Sequence, residues 1–214
     1  MNGRTRKGRA RGRYSAAPPS WFTRARALLA GALVLGVGGT LTLAAWTDTE
    51  IARGAFTASQ FAIEGSTDGS TFSEHPSSGP AALSFSVNSS TMSPGATSYA
   101  RFVVRTTSAT NVAGAVALGG ATVTGTGLGA FLKYGVRTIP AGAACDATSF
   151  ASGAVVVPND SALSVGATGA QPLVAAAGAV VAYCFAVSLP PGTSNAAQGL
   201  NASATWTLTA TSAS

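Results

Sequence analysis

Residues 200–211 alternate without a break. Leu200, Ala202, Ala204, Trp206, Leu208 and Ala210 fall on one side, and Asn201, Ser203, Thr205, Thr207, Thr209 and Thr211 on the other. Successive side chains of an extended chain point to opposite faces, so this period of two specifies a strand with one apolar and one polar face. From residue 46 onward no window shows a sustained 3.6-residue apolar period with helix caps. Shorter apolar runs cover residues 55–64, 82–87, 98–106, 112–118, 131–138, 153–157 and 180–189. Turn residues separate them. Ser93-Pro94-Gly95 is the clearest case, with Pro fixing φ and Gly free to take positive φ. Some eight short strands in about 170 residues predict an all-β chain folded as a single β-sandwich with Greek-key or jelly-roll links.

A second feature precedes the strands. Residues 27–45 carry no charge, and Arg4, Arg6, Lys7, Arg9, Arg11, Arg13, Arg24 and Arg26 lie before them. A basic start, an apolar stretch and the small pair Ala44-Ala45 make the pattern of an export signal. The expected organisation is therefore a basic region over 1–26, an N-terminal signal helix over 27–45 and an exported domain over 46–214. The competing reading is an uncleaved membrane anchor, because nineteen apolar residues are close to the span of a bilayer. Gly31, Gly36, Gly38 and Gly39, the small exit and the lack of a following basic cluster favour cleavage by a signal peptidase. A cut after Ala45 puts bulky Leu43 at the third position before the bond, and a cut after Ala44 puts Thr42 there. No two arginines are adjacent, and no Cys sits at the exit, so twin-arginine and lipoprotein leaders are excluded.

The signal region also dominates the charge. The chain is formally +6, but eight of its thirteen basic residues precede Ala27. From Trp46 onward, Arg53, Arg101, Arg105, Lys133 and Arg137 stand against Asp48, Glu50, Glu64, Asp68, Glu74, Asp146 and Asp160, a net of −2. Nothing remains to neutralise a run of phosphates, so no nucleic-acid partner is expected.

Three short segments together resemble a known leader class. Gly36-Val37-Gly38-Gly39-Thr40, Ala44-Ala45-Trp46-Thr47-Asp48 and Gly54-Ala55-Phe56-Thr57-Ala58-Ser59 are similar to a SipW-type signal peptide and the strand that follows it. That leader belongs to the TasA/camelysin family of exported bacterial matrix proteins. Downstream, Met92-Ser93-Pro94-Gly95 with residues 99–105, and Gln198-Gly199 with residues 200–211, resemble the family's Pro-Gly turn and closing strand. The arginine-rich extension, the two cysteines and the short polar ending depart from it. The resemblance implies SipW-dependent export and a place in the extracellular matrix of a biofilm.

Cys145 and Cys184 are the two cysteines of the chain. In an exported protein such a pair is most simply a disulfide, joining the loop after residues 131–138 to the strand around Tyr183. Without CxxC spacing or a nearby His, a redox or metal pair is the weaker reading. Catalytic residue sets are scarce. The single His75 sits in Glu74-His75-Pro76, read as an exposed loop, and neither HExxH nor GxSxG occurs. Asp68-Gly69-Ser70 reads as a turn rather than a calcium loop, even with Glu64 and Glu74 nearby. Leu189-Pro190-Pro191-Gly192-Thr193 is similar to a sortase signal with its Thr and Gly in the wrong order, and reads as a turn. Trp206 alternates with apolar residues and is assigned to the core. No catalytic residue, cofactor or metal is expected.

The resulting expectation is a non-enzymatic, exported structural protein of the cell surface or matrix. It would self-associate into fibres by donating the strand that carries Ile51, Phe56, Phe61 and Ile63. The alternative is a monomeric envelope-binding module, secreted or held to the membrane through the uncleaved signal segment.

Overall fold

The computed structural model describes residues 21–38, 47–86 and 91–213. The chain divides into two compact units, Met1–Ala55 and Phe56–Ser214. In the first, α1 runs over Trp21–Gly38. It begins six residues ahead of the uncharged stretch and carries Arg24 and Arg26, so the charge boundary is not a structural one. Leu28, Leu29, Leu33, Val34 and Leu35 are exposed on it. No helix among the described residues is long and apolar enough to cross a membrane. The expected cleavage residues Ala44, Ala45 and Trp46 lie outside the described residues.

The regular structure of the second unit is mostly antiparallel strands: β1 (Ile63–Ser66), β2 (Thr97–Thr106), β3 (Gly114–Leu118), β4 (Thr122–Thr124), β5 (Lys133–Ile139), β6 (Ala154–Ala162), β7 (Gln171–Leu173), β8 (Val181–Ser188), β9 (Ser203–Thr205) and β10 (Leu208–Ser212). The main sheet has the order β1-β2-β8-β5-β6, and smaller sheets run β10-β3-β7 and β4-β9. The all-β expectation therefore holds.

β8 sets the pattern of the main sheet. Residues Ala182 to Val187 are all buried, although the strand is only eight residues long. Its large side chains, Tyr183, Phe185 and Val187, enter one apolar cluster with Phe102 and Val104 of β2, Tyr134 and Val136 of β5, Val116 and Leu118 of β3 and Leu173 of β7. Its small side chains, Ala182, Cys184 and Ala186, face the other way and pack with Val103, Ile139 and Phe150. A central strand covered on both faces reads as a continuous apolar run rather than an alternation. Large residues on one side and small on the other leave room for a strap of chain over the small side.

That strap is residues 140–152. Cys145 is joined to Cys184, as expected of the pair, across a sequence separation of 39 residues and with Cα atoms 5.2 Å apart. The short helix α2 (Ala147–Ser152) follows, with the Asp146 carboxylate accepting the Ser149 N–H at its start and Phe150 buried beneath it. Arginines on the same face hold the strap and its neighbours. The Arg101 guanidinium donates to the carbonyls of Ala141 and Asp68. Arg137 donates to the Gly153 carbonyl at 3.0 Å and lies 5.2 Å from the Phe150 ring. Arg105 pairs with Glu64 at 2.7 Å and stacks 3.8 Å from the Phe72 ring centre.

At the far end, two buried threonines knot the loops. Thr106 Oγ1 donates to the Val174 carbonyl at 2.6 Å and accepts the Ala177 N–H at 3.1 Å. Thr110 Oγ1 donates to the Ala62 carbonyl and accepts the Ala62 N–H. The Thr106 bond to Ala177, with a 2.8 Å bond from the Ala176 N–H to the Thr110 carbonyl, holds Ala176 and Ala177 at φ 55° and 53°, a left-handed conformation that alanine adopts at a cost.

Several strand boundaries differ from expectation. The run over residues 55–64 is not a strand until Ile63. Phe56 has no partner strand among the described residues and is 97% exposed, while Gln60 and Ala62 bond to the 107–111 loop instead. Residues 81–86 keep their alternation, with Ala81, Leu83 and Phe85 half-buried, but form no ladder. Their tie to the sheet is the Ser86–Tyr99 contact, in which the Ser86 N–H donates to the Tyr99 carbonyl and the Tyr99 N–H to Ser86 Oγ. Val87 lies outside the described residues. Residues 200–211 keep their alternation too, yet change sheets at Trp206: β9 pairs with β4 and β10 with β3. The turns at Gly95 (φ 88°) and Gly192 (φ 78°) form as expected, with Ala96 N–H bonded to Ser93 and Thr193 N–H to Pro190.

Two predictions test this architecture. Cys184→Ser releases the strap and lowers stability by about 2–5 kcal/mol in urea denaturation under oxidising conditions. Tyr183 is buried with a hydroxyl that has no hydrogen-bond partner among the described residues, and burial pushes its pKa upward. The folded state therefore keeps this proton at pH values where the unfolded state has lost it. The associated stability is complete below about pH 10 and declines as pH rises above it. Tyr183→Phe is neutral or stabilising at pH 7, because it removes an unpaired polar group. It also flattens the decline of stability above pH 10, leaving the part due to Tyr134, whose pKa burial also raises.

Candidate functional site

The apolar cluster of the second unit is not closed. A cleft of about 830 Å³ opens into it. Phe102 and Val104 of β2, Phe185 and Val187 of β8, Leu132 and Leu163 form its floor. Leu83, Phe85, Met92 and Leu128 line one wall, and Ala202, Ala204, Trp206 and Leu208 another. The local cause is visible in both walls. Residues 81–86 are extended without a ladder, and β9 is three residues long, so neither wall is fixed by a broad sheet.

Trp206 sits where the last strand changes sheets. Its ring packs 5.1 Å from Phe185 and 5.7 Å from Tyr134, centre to centre. Its buried Nε1–H faces the Tyr134 hydroxyl but makes no well-aligned hydrogen bond among the described residues. Gly65 lets β1 approach the floor closely, since a Cβ there would lie 2.4 Å from the tip of the Phe102 ring.

The mouth is polar. Glu64, Glu74, His75 and Ser77 border it. Glu64 is held by Arg105, whereas Glu74 makes no ion pair among the described residues. His75 is exposed, as expected; its Nε2 lies 3.2 Å from Ser73 Oγ and its ring meets the Phe102 ring edge-on at 6.2 Å. Both partners are exposed loop residues two positions apart, and no described carboxylate orients the ring. Asp68 forms the expected turn: it accepts the Thr71 and Ser70 N–H groups and the Ser66 hydroxyl. The Thr71 N–H first, then the Ser66 hydroxyl, hold its carboxyl well below the usual carboxylate range. Among the described residues no group of three His, Cys, Asp or Glu side chains is placed to hold a metal.

A second, more polar cavity of about 400 Å³ lies on the strap side of the main sheet. Tyr99, Arg137, Phe150, Asn159 and Asp160 line it, and Asp160 stands at φ 61°.

The residues proposed to form a donated strand separate into two pairs. Ile51 and Phe56 are 87% and 97% exposed. Phe61 and Ile63 are half-buried against the core, with Phe61 fitted over Gly114 and Ile63 paired with Thr106. Trp206 joins the core, as its alternation predicts. The cleft has no sequence signal of its own, because it arises from what the neighbouring segments fail to pair with.

Trp206 supplies the test of this arrangement. Trp206→Ala enlarges the cleft and removes two aromatic contacts, costing about 2–4 kcal/mol, somewhat less than the roughly 3–5 kcal/mol of a fully buried aromatic truncation because the residue is only half-buried. Trp206→Phe keeps the ring stacking and sheds the unpaired N–H, so it costs less than about 1 kcal/mol in the same urea titration. No protein-family model matches the chain, and no curated protein matches it either.

Proposed function

We propose that this chain is an exported, non-enzymatic structural protein that self-associates at the cell surface or in an extracellular matrix. Its second unit is read as one β-sandwich of jelly-roll or Greek-key type, and the basic and apolar start as a SipW-type leader cut by a signal peptidase near Ala45. The single observation that carries the reading is Phe56. A large aromatic side chain, 97% exposed, stands on an unpaired extended segment just ahead of β1. Exposed apolar groups on an unpaired segment are what strand donation between copies uses. An open apolar cleft in the same unit and an outer strand, β10, with no charged residue add receptive surface. β6 is the better guarded edge, with Pro158 and two register shifts in its pairing. The disulfide supports an extracellular setting.

The second reading is a monomeric envelope-binding module that uses the cleft for an apolar ligand, free or held to the membrane by an uncleaved signal segment. The size and aromatic lining of the cleft favour it. Nucleic acid is no partner in either reading, since the strand arginines are engaged by Ala141, Glu64 and Gly153 and Lys133 alone makes no basic patch.

Phe56→Asp separates the two. In the assembly reading it abolishes higher-order particles in light scattering and electron microscopy, while the circular dichroism and melting temperature of the monomer stay unchanged. If wild type and Phe56→Asp are both monomeric up to high concentration, assembly through this segment is wrong and the binding-module reading replaces it.

A further inference from the structure

We propose that the Arg53–Gly54 bond is a proteolytic release site, cut by an endoprotease that selects a basic residue. Residues 47–60 are all exposed. Among the described residues, none of residues 47–59 makes a hydrogen bond. Proteases bind several substrate residues in extended form, so such a segment is cut without any local unfolding. Arg53 is the only Lys or Arg between Arg26 and Arg101. Gly54 and Ala55, just past the bond, are small and offer no steric barrier.

The basic residues of the second unit are protected by the sheet. Arg101 and Arg105 lie in β2, which is paired on one side with β1 and on the other with β8. Lys133 and Arg137 lie in β5, between β8 and β6. The three arginines also have their guanidinium groups engaged, by Ala141, Glu64 and Gly153. Presenting either strand to a protease requires the main sheet to open. Downstream of Arg26, charge scarcity thus turns a common protease specificity into selection of one bond.

The reaction is hydrolysis. Water adds across the amide, Arg53 gains a carboxylate and Gly54 a free ammonium group, and no other reactant is needed. The product is the unit Phe56–Ser214 with a two-residue extension. It keeps Phe56 and loses Ile51, so the proposal stands whether or not the unit assembles.

The test uses the full chain, wild type and Arg53→Gln, with trypsin as the probe. Intact mass and N-terminal sequencing follow the fragments that end at Ser214. Wild type gives a stable fragment beginning at Gly54; Arg53→Gln gives none, and its cuts within β2 and β5 appear on the order of a hundredfold more slowly than the wild-type Gly54 cut, because only rare opening exposes those sites. Subdenaturing urea leaves the cut at Arg53 unchanged and accelerates those in β2 and β5. N-terminal sequencing of the wild-type chain from its producing cells then finds a start at Gly54. Fragments beginning at Phe102, Thr106, Tyr134 or Thr138 that appear as fast as the Gly54 fragment overturn the proposal. So does an uncut Arg53 in the folded chain, or material from producing cells with no Gly54 start.

Discussion

Burial of β8 on both faces is the constraint from which the rest of the main sheet follows. A strand sealed on two sides cannot carry polar side chains, so its sequence is Val-Ala-Tyr-Cys-Phe-Ala-Val. One face needs bulk to fill the space beneath the smaller sheets. The other needs the reverse, because a strap of chain passes close over it. Ala182, Cys184 and Ala186 supply that clearance, and Cys184 also supplies the bond that fixes the strap. A larger residue at either alanine would lift the strap, and a well-packed interior resists such overfilling.

The charged residues follow the same division. Arg101, Arg105 and Arg137 project from the strap side of the sheet; Arg101 and Arg137 end on carbonyls of covering segments, and Arg105 on the Glu64 carboxylate of the neighbouring strand. The opposite side holds almost no charge, and the core there depends on apolar contact alone. That contact is incomplete where residues 81–86 and β9 fail to join broad ladders. The cleft is therefore the counterpart of the strap: one face of the sheet is closed by a disulfide and by arginine hydrogen bonds, the other is left open.

Much of this organisation was legible in the sequence where a single physical rule acts. The alternation of residues 200–211 gave the correct exposed and half-buried sides at every position, because a period of two survives a change of partner. The change of sheet at Trp206 was not legible, since alternation says nothing about which strand lies alongside. Residues 55–62 failed for the related reason that alternation does not guarantee a partner. β4 and β7, three residues each, are too short to show a period at all. Pairing of Cys145 with Cys184 followed from there being two cysteines and an oxidising setting. The cleft was invisible, because it is defined by side chains brought together from distant parts of the chain.

The strap has a consequence for when this domain reaches its final form. A thiol-reducing environment leaves Cys145 and Cys184 unjoined, and the strap then rests on a few hydrogen bonds and the Phe150 contact. The domain accordingly has two degrees of order, a looser one before oxidation and a tighter one after it. Redox potential, rather than temperature or partner concentration, sets the passage between them. A chain of this design stays pliable for as long as it is kept among reductants and hardens on leaving them.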